Sequence, residues 1–98
     1  MLAFAPMAVT VKIPAQLRAV TDGAEQVEVV GETVGEALDA VFTAHAELRE
    51  RITEDGTLRR FVNVYVSGED IRFQDGLETR LADGDEVTIL PAVAGGGR

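Results

Sequence analysis

Cysteine is absent from the 98 residues, so the chain has no disulfide, no thiolate ligand for a metal and no thiol nucleophile. Histidine occurs once, at His45, and cannot form a histidine cluster. Lysine also occurs once, at Lys12, which leaves little room for lysine chemistry. No stretch approaches the ~20 consecutive apolar residues that span a bilayer. The opening Met1-Leu2-Ala3-Phe4-Ala5-Pro6 lacks the basic start and the length of a signal peptide, so a cytoplasmic chain is expected. Basic charge is scarce as well. Nine lysines and arginines stand against 17 carboxylates, a net charge of -8. That balance repels phosphate backbones and anionic headgroups, so neither nucleic acid nor membrane is an expected partner, whereas a basic protein surface is.

What is present suffices for one domain, because 46% of the residues are apolar. Met7, Val9, Val11 and Ile13 alternate with Ala8, Thr10 and Lys12, the period of a half-buried strand that Pro14 stops. Glu25 to Val30 alternates in the same way. Between them Thr21-Asp22-Gly23 favours turning, which predicts an antiparallel hairpin with a loose loop. Thr33 with Glu36 three residues on is the capping-box pattern that opens a helix. Val34, Leu38, Val41, Phe42 and His45 recur on one face at helical spacing, and Leu48 and Ile52 continue as a separate short turn.

Phe61 to Val66 is the strongest strand pattern, with Val62, Val64 and Val66 facing one way and Phe61, Asn63 and Tyr65 the other. Ser67-Gly68-Glu69-Asp70 predicts a turn and Ile71-Arg72-Phe73 a short strand. Asp83-Gly84-Asp85 predicts a tight turn into a last strand, Glu86 to Leu90, whose pairing Pro91 ends. This order is α+β, with one main helix covering a mixed sheet of four to five strands. A helical crossover lets the first and last strands lie parallel in the middle, the ubiquitin-like β-grasp arrangement. The domain is expected over residues 7–91, with flexible ends at 1–6 and 92–98.

After Pro91 the chain reads Ala92-Val93-Ala94-Gly95-Gly96-Gly97-Arg98. Nothing larger than valine precedes the final arginine, so this tail has little to bury. Its glycines can thread a slot too narrow for ordinary side chains. Extended, Ala92 to Gly96 reaches about 17 Å at roughly 3.3 Å per residue.

Asp83-Gly84-Asp85-Glu86-Val87, followed by Leu90-Pro91-Ala92-Val93-Ala94-Gly95-Gly96, resembles the C-terminal signature of the MoaD/ThiS ubiquitin-like sulfur carriers, which are β-grasp proteins ending in di-glycine. The element order resembles theirs over residues 7–96. Arg60-Phe61-Val62-Asn63-Val64-Tyr65-Val66, Glu69-Asp70-Ile71-Arg72-Phe73 and Ile89 to Gly96 look most like the CysO-like carriers of cysteine biosynthesis. The resemblance implies a co-substrate of other enzymes, with no catalytic residue of its own. An E1-like enzyme would adenylate the Gly96 carboxylate with ATP, and a sulfur donor would convert it to a thiocarboxylate. Val93, Ala94, Gly95 and Gly96 would thread into that partner. The absence of cysteine agrees, since no persulfide can form on this chain.

The resemblance also implies a PLP-dependent synthase as sulfur acceptor and a zinc-bearing JAMM-type metallopeptidase; no cofactor or metal is expected on this chain. Other members of the family serve molybdopterin, thiamine or secondary-metabolite synthesis, and the alternative is a protein modifier joined to lysines through the same glycine. Gly97-Arg98 departs from the family ending and is expected to be a removable cap.

Phe61, Tyr65 and Leu90 fall opposite the core-facing valines near the tail, with Arg60 and Arg72 at their rim. An exposed patch there would dock the E1-like partner; packing beneath a loop or scattered surface apolars would give the same pattern. His45 reads as a core-edge histidine. Asp83, Asp85 and Glu86 read as an acidic turn, and neither they nor Glu69-Asp70 have the alternating oxygen ligands of a cation loop. A monomer is expected for the chain alone.

Overall fold

In the computed structural model, which describes residues 8–60 and 62–91, the first alternating run forms β1 (Ala8–Lys12), burying Val9 and Val11 on one face. The loop after it is not loose. Ala15–Thr21 winds into a 3-10 segment that buries Leu17 and Thr21. The Thr21 hydroxyl donates towards the carbonyls of Arg18 and Ala24 at 3.2 and 3.1 Å. Asp22 and Gly23, at φ 57° and 85°, reverse the chain. It returns as β2 (Gln26–Val30), antiparallel to β1 with Val9 opposite Val29.

Helix α1 (Val34–Ala44) starts where the capping pattern placed it. Thr33 Oγ1 accepts from the Glu36 N–H at 3.2 Å, while the Glu36 carboxylate accepts from the N–H of Glu32 at 2.9 Å, one residue upstream of the cap itself. The chain passes so close to this first turn that a Cβ on Gly31 would lie 2.8 Å from Ala37 N. At His45, half-buried with φ -136° and ψ 78°, the helix ends, and α2 (Ala46–Ile52) starts afresh, burying Leu48 and Ile52.

Two hairpins then appear, built in part from two-residue strands that are too short for periodicity to signal. β3 (Thr53–Glu54) and β4 (Thr57–Leu58) pair through Asp55-Gly56, both at positive φ. β5 (Val62–Val66) turns through Ser67-Gly68, at φ 51° and 89°, into β6 (Glu69–Asp70). Two successive left-handed residues make the tight turn whose twist suits a hairpin. This corrects the expected four-residue turn: pairing begins at Glu69, and Ile71–Phe73 is a 3-10 segment and not a strand.

The last strand, β7 (Glu86–Pro91), runs parallel to β1 and antiparallel to β5, giving the order β2-β1-β7-β5-β6. Pro91 does not fall outside the pairing as expected. It stands opposite Val62, and because the Ser67 N–H bonds to the Glu86 carbonyl, the alternation of an antiparallel ladder makes Val62 and Pro91 a non-hydrogen-bonded pair, where β5 needs no donor from proline. The fold is the ubiquitin-like β-grasp: α1 and α2 cover one face of a mixed five-stranded sheet, over a core centred on Val11, Val34, Val41, Leu48, Val87 and Ile89.

Candidate functional site

The face of the sheet away from α1 collects the residues that point opposite the core valines. Ladder register sets them side by side: Tyr65 lies between Thr88 and Asp70, and Asn63 lies opposite Leu90. Tyr65 and Leu90 are therefore diagonal neighbours, within reach of one another. Leu90 is 46% exposed and Tyr65 half-buried.

Arg72 comes to this face through the 3-10 segment. The Asp70 carboxylate caps that segment by accepting the backbone N–H of Arg72 at 2.8 Å. Arg72 Nε and Nη2 reach Asp70 Oδ1 and Oδ2 at 3.3 and 2.9 Å, and Nη2 also donates to Asn63 Oδ1. These bonds, the side-chain pair first and the backbone bond second, hold the Asp70 carboxyl below the usual carboxylate range. The same pairing raises the Arg72 guanidinium above its ordinary value.

Arg60 is exposed, and with Arg72 it borders a cavity of about 290 Å³ walled by Leu58, Val62, Ile71 and Leu77. Tyr65, Leu90 and Arg72 thus share one region, with Arg60 at the end of the sheet where the last strand finishes. Phe61 lies outside the described residues, as do Val93, Ala94, Gly95, Gly96, Gly97 and Arg98.

Phe73 was missed by the sequence reading. It is 82% exposed, more than any other large apolar residue described. As part of a strand it would share a face with Ile71, which is 2% exposed; the tighter 3-10 turn separates the two. Asn63 and Asp70, the anchors of Arg72, were also missed, and the Asp70-x-Arg72 spacing was the available signal.

The acidic turn is spent on structure. Asp83 Oδ1 accepts from Ala8 N at 3.0 Å, Asp85 Oδ2 from Ala82 N at 2.8 Å, and Glu86 pairs with Lys12 at 3.4 Å. Among the described residues no three carboxylates and histidines gather as a metal site, and no helix is long and apolar enough to cross a membrane. The face offers contact chemistry: an aromatic ring, aliphatic surface and guanidinium donors beside the strand that leads to the glycines.

A profile of the ThiS family matches residues 11–96. The chain is 48% identical over 93 residues to the sulfur carrier protein CysO of Mycobacterium tuberculosis, a match covering 92% of this chain and 100% of that protein. The crystal structure of the Amycolatopsis orientalis BexX/CysO complex aligns with a TM-score of 0.83 at 50% identity, over 87% of this chain and 96% of that one. The solution structure of small archaeal modifier protein 1 from Methanosarcina acetivorans aligns with a TM-score of 0.82 at 33% identity, over 93% and 98% of the two chains.

Proposed function

This chain belongs to the ThiS family, and from that premise we propose that it carries sulfur on the carboxyl group of Gly96. It is a small ubiquitin-like carrier of the kind its relatives are, not an enzyme. The observation that supports the reading best is that the family match runs from within β1 to the second glycine, Gly96.

The chemistry follows from the terminal group. A carboxylate is a poor electrophile. A Gly96 oxygen attacks the α-phosphorus of ATP in an E1-like enzyme, pyrophosphate leaves, and the acyl-adenylate now has a stabilised leaving group. Sulfide from a donor adds to the carbonyl carbon and AMP departs, leaving a thiocarboxylate. That group is a soft nucleophile able to deliver sulfide to an acceptor. Both acyl species hydrolyse in water, so each step belongs inside a partner's water-excluding site. Val93 to Gly96 thread that site, while Tyr65, Leu90, Arg60, Arg72 and Phe61 dock the domain outside it.

The acceptor on this reading is a PLP-dependent cysteine synthase, because the similarity to CysO extends through the domain as well as the tail. Gly97-Arg98 is a cap, removed by a JAMM-type zinc peptidase before activation; an adenylating pocket shaped for glycine has no room for the arginine side chain.

The test uses the chain ending at Gly96 and the chain ending at Arg98, each incubated with a purified E1-like enzyme, ATP and sulfide. Mass spectrometry should find one oxygen replaced by sulfur in the shorter chain alone. Equal conversion of the Arg98-ended chain would refute the cap, and no conversion of either would refute the carrier reading. The likeness to small archaeal modifier protein 1 favours a second use of the same activated glycine, transfer to a lysine amine of another protein. Isopeptide adducts without thiocarboxylate would select that use.

A further inference from the structure

Arg72 is held on most of its hydrogen-bonding edge. Nε and one hydrogen of Nη2 meet the two oxygens of Asp70, and the other hydrogen of Nη2 goes to Asn63. Surface ion pairs usually lose in side-chain entropy what they gain in attraction. Here that loss is small, because Asp70 is a short, buried side chain fixed by the Arg72 backbone N–H, and Asn63 sits on the central part of the sheet. A planar guanidinium gripped along one side has no freedom left to turn.

Two N–H groups remain, both on Nη1, and they have no acceptor among the described residues. The Arg72 side chain is 60% exposed. The clamp also stands at an informative place. Asn63 faces Leu90 and Val62 faces Pro91, so Arg72 is tied one ladder step from Pro91, the last described residue before Gly96 in the chain.

We propose that Asp70 and Asn63 are positioning residues that aim Arg72 Nη1 at a carbonyl oxygen of the enzyme receiving the tail, setting the carrier's orientation at the mouth of that enzyme's site. This rests on Gly96 being the reacting terminus. A carbonyl fits better than a second carboxylate, because Asp70 already neutralises the guanidinium and would repel another anion beside it.

The experiment is ATP–pyrophosphate exchange by a purified E1-like enzyme, with the chain ending at Gly96 as varied substrate. Arg72→Lys keeps the charge and loses the fork, and should raise KM for the carrier about tenfold with kcat unchanged. Asp70→Asn and Asn63→Ala should each raise KM about three- to tenfold. The double variant Arg72→Lys/Asp70→Asn should be no worse than Arg72→Lys alone, because a positioning residue acts only through the group it positions. The effect of Arg72→Lys should persist at high salt, as expected for a neutral acceptor; an effect that salt abolishes would overturn the carbonyl assignment.

Circular dichroism checks that each variant is folded, and Arg72→Lys with Asn63→Ala carry the test if Asp70→Asn is not. Unchanged KM in folded Arg72→Lys, a loss confined to kcat, or additive effects in the double variant would overturn the positioning role while leaving the carrier reading intact. Absence of exchange with the unaltered chain would instead defeat that reading, and this inference with it.

Discussion

A carboxylate withdrawn from water has to find compensation locally, and Asp70 finds nearly all of it in one residue. Arg72 supplies a backbone N–H and a guanidinium fork, and both favour the ionised carboxyl. The folded pKa therefore lies below that of the unfolded chain. The stabilisation is present above the unfolded value of about 3.9 and is lost as pH falls through the lower folded value. Asp70→Asn removes this titration while keeping the shape. Urea unfolding followed by circular dichroism should place the unaltered protein above Asp70→Asn at neutral pH, with the gap closing below pH about 3.9. A gap that stayed constant down to strongly acid pH would mean that the ionised carboxyl contributes nothing to the fold. Phe73 shows what single residues hide from a sequence reading. Ile71 and Phe73 look alike as letters two apart, yet one is in the core and the other in solvent, because the 3-10 turn that Asp70 caps rotates them onto different sides.

Elements whose hydrogen bonds are local were legible; elements that exist only through pairing were not. The start of α1 is written in Thr33 and Glu36, since a helix must satisfy its first N–H groups with whatever lies within three residues. Thr33→Ala should cost about 1 kcal/mol in urea unfolding, the usual value of such a cap. Gly31→Ala should cost more than Thr33→Ala, because the new Cβ meets backbone at 2.8 Å where no side chain can swing away. The reverse ranking would show that the approach of Gly31 to the helix relaxes easily. By contrast, β3, β4 and β6 have two residues each, too few for an alternating pattern to register. Their turn chemistry was visible in Asp55-Gly56 and Ser67-Gly68. How soon pairing resumes after a turn depends on the partner strand, which is a tertiary fact. Pro91 follows the same logic: it is tolerated in the ladder because the register puts it opposite Val62 at a non-hydrogen-bonded position, which only the partner strand decides.

At the scale of the whole molecule the proposed function divides the chain into a packed body and a reacting end. The longest-range contact in the sheet, parallel β1 against β7, brings residues more than seventy positions apart together. The acidic turn secures it: Gly84 N–H donates to the Ala8 carbonyl at 2.8 Å and Asp83 takes the Ala8 N–H. That pairing was legible because a crossover helix between alternating strands leaves few other topologies. The face proposed for docking was legible in part, since Tyr65 and Leu90 follow from strand phase whereas the Arg72 clamp depends on a turn. Every buried apolar side chain described lies between Val9 and Ile89, and Pro91 is the last residue of β7 described. Removing residues 92–98 should therefore move the thermal midpoint by less than about 2 °C, since even 1 kcal/mol shifts a domain of this size by several degrees. The same truncation should abolish sulfur loading, because the Gly96 carboxyl is gone. A midpoint that fell by many degrees would show that the tail packs against the body. Its glycines would then serve stability as well as the threading proposed for them, and the proposed division between body and reacting end would not hold.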